Sequence, residues 1–175
     1  VLIIPTCIDL SRYNVKGDPH SEGVITVGWL GSRSSLRYLK PLIPIFENIF
    51  KKYPNMQLKI VSSEFLDSPD LPIIKKQWSW YEEVEDLKSF DIGVMPLSSD
   101  LWSKGKCGLK ILQYFSVGIP VICTPVGVNR DIVEDGVNGF WAKTPEEWEG
   151  KISILIENHI LREQMGREGR KKVLE

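Results

Sequence analysis

The chain has 175 residues, of which 42% are apolar and 26% charged, enough for one globular domain with a full core or two very small ones. A net charge of −1 provides no global field toward nucleic acid or an anionic membrane. No apolar run approaches the roughly 20 residues that span a bilayer, and no signal-peptide pattern opens the chain.

Residues 1–4 read as a short strand, followed by a Pro-, Gly- and Asp-rich connector to residue 23. Residues 24–30 are almost continuously apolar, the pattern of a strand buried on both faces. Gly31-Ser-Arg-Ser-Ser35 is a turn, with Ser34 or Ser35 placed to cap a helix. From 36 to 52 apolar residues recur at helical spacing: Leu39, Leu42, Ile43, Phe46, Ile49 and Phe50. Pro41 and Pro44 predict a late start or a bend there. Strands follow at 57–63 and 73–78, then a short acidic helix at 81–89 and a strand at 90–96. Residues 106–117 read as a helix, 120–124 as a strand, 128–134 as a brief helix closed by Asp135-Gly136, and 140–142 as a last strand. Thr144-Pro-Glu-Glu147 is a helix-start signal with Thr at the cap, Pro in the first turn and Glu at the third position. Two helices run from there to the end.

Strands alternating with helices predict a single α/β domain over 1–175, with a mostly parallel sheet and helices on both faces. Ligands of such sheets bind at the C-terminal strand ends, which puts loops 31–35, 97–106 and 125–129 on one rim. The chain starts on apolar residues without methionine and stops inside a helical pattern, and so reads as a segment of a longer protein. Cys7, Cys107 and Cys123 are widely spaced, which suits reduced thiols in a cytosolic compartment, and no zinc spacing is present.

The most informative stretch is the helix expected at 106–117. Lys106, Lys110 and Gln113 fall at i, i+4 and i+7, so they share one face, while Leu109, Ile111, Leu112, Phe115 and Ser116 share another. A helix start after a buried strand offers free N–H groups, a positive dipole end and, here, two ammonium groups. A nucleotide diphosphate calls for all three, and Gln113 lies in reach of a ribose hydroxyl. The alternative is a solvated polar face on an ordinary helix. Gly31 permits close backbone approach to an anion, Ser32 sits beside it, and Arg33 is long enough to reach a phosphate; the plainer reading is an N-cap turn with an exposed Arg. Trp78 and Trp80 either wall a slot for a base or pack as core or lid. Glu82, Glu83, Glu85 and Asp86 read as helix N-terminal charge on a solvated face. Asn129 is either a cap or part of the cleft. His20 and His159 lie away from the rim. Neither a GxGxxG fingerprint nor a GxxxxGK[ST] loop is present, and no Ser/His/Asp set, metal cluster or acid/base carboxylate pair is apparent.

With these residues in view, the run from Gly105-Lys-Cys-Gly108 through Pro125-Val-Gly-Val-Asn129, with Asp135-Gly-Val-Asn-Gly-Phe140 and Ile4-Pro-Thr-Cys-Ile-Asp9, resembles the C-terminal domain of retaining group 1 glycosyltransferases of the GT-B, glycogen-synthase-like type. The resemblance implies a Rossmann-like domain that binds a UDP-, GDP- or ADP-sugar donor without a further cofactor or metal. It implies transfer of a hexosyl group to a glycan or lipid-linked acceptor, as in polysaccharide biosynthesis. It also implies an N-terminal acceptor domain, a cytoplasmic setting with any inner-face membrane contact left to that domain, and an isolated fragment that transfers nothing. In the family one glutamate near the helix start faces the donor sugar and another, eight positions on, holds the ribose. Those positions are Gly105 and Gln113 here, so both carboxylates are missing. Trp29 stands where many members carry Arg, and Lys106, Cys107 and Gly108 are left beside the donor sugar. Two other readings stand beside this one: a non-catalytic, partner-binding Rossmann-like module, and half of a nucleotide-sugar epimerase.

Overall fold

The computed structural model describes residues 6–15 and 23–175; the strand expected at 1–4 and His20 lie outside them. Six strands form one parallel sheet: β1 (Ile25–Leu30), β2 (Met56–Ser62), β3 (Ile73–Gln77), β4 (Ile92–Met95), β5 (Val121–Cys123) and β6 (Gly139–Trp141). Their order is β3-β2-β1-β4-β5-β6, the doubly wound arrangement in which the chain reverses direction between β1 and β4. Every residue of β1 is buried, as its nearly continuous apolar run predicts. β3 lies at an edge and carries Lys75 and Lys76, a composition that discourages further strand pairing.

Apolar clusters lie on both faces of the sheet. One gathers Val27, Leu58 and Ile60 with Phe46 and Ile49 of α2 (Ile43–Lys52) and Trp148 and Ile152 of α7 (Pro145–Glu157). The other gathers Val61, Phe90 and Val121 with Leu87 of α3 (Glu83–Lys88) and Ile111, Tyr114 and Phe115 of α5 (Leu109–Ser116). The final helix, α8 (His159–Leu174), packs on α5. Thr144 caps α7 with the full reciprocal box: its hydroxyl accepts from the Glu147 amide, and Glu147 Oε2 accepts from the Thr144 amide.

The segment before α2 is broken rather than a single helix. It runs as a 3-10 turn (Arg33–Ser35), α1 (Leu36–Leu39), a second 3-10 turn (Lys40–Leu42) and then α2, because Pro41 and Pro44 cannot donate to the ladder. The serine caps expected at 34 and 35 are not made: neither Ser32 nor Ser35, at the two N-cap positions, bonds a helix amide through its side chain. Ser32 Oγ bonds the hydroxyls of Ser34 and Ser35 instead.

A short helix, α4 (Leu101–Lys104), fills the loop after β4. Asp100 caps it, accepting from the Ser103 amide at 2.7 Å. α5 then starts at Leu109, where the apolar spacing begins, and three residues later than the helix expected from 106. Gly108 is its N-cap with φ of +73°, a left-handed conformation that L side chains disfavour. A β-carbon there would also stand 2.4 Å from Ile132 Cδ1 of α6 (Asn129–Ile132). The left-handed turn at Gly108 thus separates Lys106 and Cys107 from the helix.

Candidate functional site

β1 and β4 pair only through Val27–Ile92 and Gly28–Gly93, and beyond those pairs they splay apart. Tyr114, fully buried on α5, bridges the gap. Its hydroxyl accepts from the Leu30 amide at 3.1 Å and donates to the Val94 carbonyl at 3.3 Å. Burial raises this phenol's pKa far above the usual range, so it keeps its proton for Val94. One side chain thus satisfies backbone groups that the splayed strands cannot pair, and ties α5 to the point where the strand order reverses.

A cavity of about 640 Å³ opens above that point. Its floor is formed by strand ends, through Leu30, Gly31, Gln77, Trp78 and Met95, and its wall by Gly105–Lys110 and Gln113. Loops 31–35 and 97–106 therefore meet as expected. The third loop, 125–129, does not line this cavity; Gly127 packs on the backbone of Lys104 behind it. Asn129 is buried and donates to the Thr124 carbonyl at 2.9 Å, so it neither caps a helix through its side chain nor reaches the cleft.

Lys106 and Lys110 both reach the cavity, but not along one helical face. Lys106 lies in the turn before α5, its amide bonded to the Ser103 carbonyl, and only Lys110 and Gln113 belong to the helix. The apolar face shifts accordingly: Ile111, Tyr114, Phe115 and Ser116 are buried, whereas Leu109 is exposed beside the cavity. The ammonium of Lys106 sits over the Tyr38 ring at 5.5 Å, and that of Lys110 over Trp29 at 5.3 Å. Among the described residues neither has a carboxylate at ion-pair distance. Burial, reinforced by repulsion from Lys106, pulls the Lys110 pKa down to about 8. Two neighbouring cations at a helix start, one of them poorly solvated, form a site that an anion would relieve. The first amide inside the α5 ladder is that of Ile111, which bonds the Gly108 carbonyl at 2.9 Å.

Gly31 and Ser32 line the cavity, but the Gly31 amide is engaged by the Val61 carbonyl at 3.0 Å and offers nothing to an anion. Arg33 does not reach the cavity; 77% exposed, it pairs with Glu64 at 3.0 Å. Cys107 lines the cavity, and a hydrogen bond from Thr6 lowers its thiol pKa. At Gly105 the nearest atom to an added β-carbon is the Trp102 carbonyl at 3.6 Å, so space for a side chain exists. His159 does not line the cavity.

The two tryptophans separate. Trp78 lines the cavity and donates its indole N–H to Glu83 Oε2 at 2.8 Å. Trp80 does not line it; 58% exposed, it lies 3.3 Å beneath the Arg12 guanidinium. Glu83 itself corrects the reading of a solvated acidic face. It is only 4% exposed, lines the cavity, accepts from Tyr13 Oη at 2.6 Å and lies 3.5 Å from Arg12. Asp86 is buried as well, 2.8 Å from the Lys59 ammonium. Both sit on the Leu87 side of α3, at i−4 and i−1 from its fully buried residue, and that spacing is the one local signal of their burial. Tyr13 carried no sequence signal at all. Gln113, 6% exposed, donates from Nε2 to Tyr13 Oη at 3.2 Å and so joins the same network.

A second hollow of about 500 Å³ opens by the ends of β4 and β5, lined by Arg37, Tyr38, Thr124, Lys143 and Trp148 among others. Among the described residues no group of three potential ligands is arranged to hold a metal ion, and no helix is long and apolar enough to cross a membrane.

Residues 73–172 match the family model described as Glycosyl transferases group 1. No curated protein matches the chain. The C-terminal domain of a group 1 family glycosyl transferase (LpcC) from Francisella tularensis shares the fold with a TM-score of 0.76 at 19% identity, over 95% of this chain and 96% of that one. Sucrose-phosphate synthase from Thermosynechococcus elongatus aligns with a TM-score of 0.71 at 14% identity, over 98% of this chain and 47% of its own. HepE of Anabaena, solved in complex with UDP-glucose, aligns with a TM-score of 0.65 at 15% identity, over 86% and 44%. The chain thus spans one whole solved domain but less than half of the two longer structures.

Proposed function

This chain belongs to the group 1 glycosyl transferases, and on that premise we propose that it is the donor-binding half of a retaining enzyme. In this reading the enzyme moves a hexosyl group from a nucleotide-diphosphate sugar to a glycan or lipid-linked acceptor. The observation that carries the reading is the pair of ammonium groups, Lys106 and Lys110, in the cavity at the start of α5. The diphosphate lies against these two lysines with Gly31 and Ser32 opposite. The ribose meets Gln113, the base lies against Trp78, and the sugar projects past Lys106, Cys107 and Gly108. Arg33 and Trp80 have no part in it unless they leave their present partners. HepE is a relative of this fold that binds UDP-glucose, which supports a nucleotide-sugar donor here without fixing the base.

Charge builds on the leaving diphosphate as the glycosidic bond breaks, and fixed cations with helix amides stabilise that charge best in a site closed to water. Lys106 and Lys110 perform this step. A second domain, consistent with the greater length of the two longer relatives, closes over the cavity and brings the acceptor.

Isothermal titration of the chain with UDP, GDP and ADP tests the reading. One of the three binds, and Lys106→Ala weakens it by about 1.5–3 kcal/mol, roughly 10- to 150-fold. Failure of all three to bind at millimolar concentration, or equal affinity in Lys106→Ala, counts against it. The lack of a carboxylate at Gly105 and Gln113 favours a second reading, a domain that binds donor without transfer. Undiminished donor binding by a full-length protein that yields no product would support it.

A further inference from the structure

A glutamate accepts hydrogen bonds through either oxygen, whereas a glutamine accepts through one end of its amide and donates through the other. Which end of Gln113 faces the cavity therefore matters to any hydroxyl-bearing ligand, and the surrounding donors decide it. The indole N–H of Trp78 can only donate, and it occupies Glu83 Oε2. Glu83 Oε1, backed by Arg12 at 3.5 Å, receives the Tyr13 hydroxyl proton at 2.6 Å. Tyr13 has a single proton, so once it donates to Glu83 its oxygen can only accept from Gln113. Gln113 must then turn Nε2 toward Tyr13, at 3.2 Å, which leaves Oε1 as an acceptor with no donor among the described residues. Burial and the adjacent Glu83 raise the Tyr13 pKa, so the phenol keeps the proton on which this order depends.

We propose that Glu83 and Tyr13 act as positioning residues, forming a relay that holds the Gln113 amide with its oxygen toward the cavity, where it accepts from the ribose hydroxyls as a carboxylate would. The inference rests on the donor-site reading above and extends it to two residues from outside α5. It accounts for a buried carboxylate in a cavity otherwise provided with cations, and it makes a glutamine serviceable at a position that calls for an acceptor.

The test compares each ribonucleotide with its 2′-deoxy counterpart by isothermal titration, using UDP, ADP and GDP and reading the pair that binds. The wild-type chain prefers the ribonucleotide by about three- to tenfold, the worth of one hydrogen bond. Tyr13→Phe frees the amide to rotate, and the preference falls to about twofold or less. Gln113→Glu in the Tyr13→Phe background restores it, because a carboxylate accepts in either orientation. A loss of packing alone would not be rescued in this way, and circular dichroism confirms that each variant is folded. Glu83→Gln gives the same loss as Tyr13→Phe. An unchanged preference in Tyr13→Phe, or no restoration in the double variant, overturns the relay while leaving the donor site standing. Binding of no nucleotide by the wild-type chain overturns both.

Discussion

Lys110 should make nucleotide binding depend on pH in the alkaline range. In the free cavity its pKa is drawn down to about 8 by burial and by Lys106. A diphosphate beside it favours the charged form and returns the pKa toward the ordinary ~10.4. Binding is therefore coupled to proton uptake. The affinity is fully present below pH 8 and declines as pH rises from 8 toward 10.4. For these values the association constant falls about tenfold between pH 7 and pH 9, and about half a proton is taken up per nucleotide at pH 8. Isothermal titration in two buffers of different ionisation enthalpy reads that uptake directly. The nucleotide's terminal phosphate titrates at about pH 6, below the window. Cys107, whose pKa is lowered by its hydrogen bond from Thr6, is removed from the balance by working in a Cys107→Ser background. Lys110→Arg keeps the charge and abolishes the pH dependence; Lys110→Met abolishes it with weaker binding throughout. Equal uptake in wild type and Lys110→Arg, or net proton release, would show that Lys110 is not the group that gains the proton.

The two glycines that flank Lys106 and Cys107 should respond in opposite ways. Gly105 has φ of −83° and would hold a β-carbon at ordinary van der Waals distance from its neighbours, so Gly105→Glu should shift the unfolding temperature by less than about 2 °C in a thermal melt. Gly108→Ala meets a left-handed backbone and, at 2.4 Å, the movable tip of Ile132, and should cost about 1–3 kcal/mol in urea unfolding. Gly136→Ala, at φ of +83° with nothing within 4 Å, supplies the control: it should cost about 1 kcal/mol, and equal losses at 108 and 136 would remove the steric part of the argument.

The sheet was legible because each strand announces itself locally. The buried run of β1 and the alternation of strand and helix are sufficient for a parallel sheet, and the site's position follows from where such sheets bind ligands. The Thr144 capping box was equally local. The start of α5 was not. The apolar spacing begins at Leu109, and only the i, i+4, i+7 spacing of Lys106, Lys110 and Gln113 extends the pattern back to 106, where the left-handed Gly108 breaks it. Glu83 was misread for a different reason. Its partners Tyr13 and Arg12 are distant in the chain, and a local pattern of four acidic residues looks solvated until those partners arrive. Tyr114 likewise gives no hint in sequence that its hydroxyl serves the β1–β4 gap. Arg33 and Trp80 have the right chemistry at nearly the right place, but Glu64 and Arg12 hold them elsewhere.

The claim that the cavity between β1 and β4 receives a nucleotide diphosphate is tested most directly by mapping backbone amide shifts of the chain during titration with UDP, GDP and ADP. The effective nucleotide should move the signals of residues 31–32, 77–78 and 105–113 together. Movement instead at Arg37, Thr124, Lys143 and Trp148, around the second hollow, or no movement at millimolar nucleotide, would contradict it.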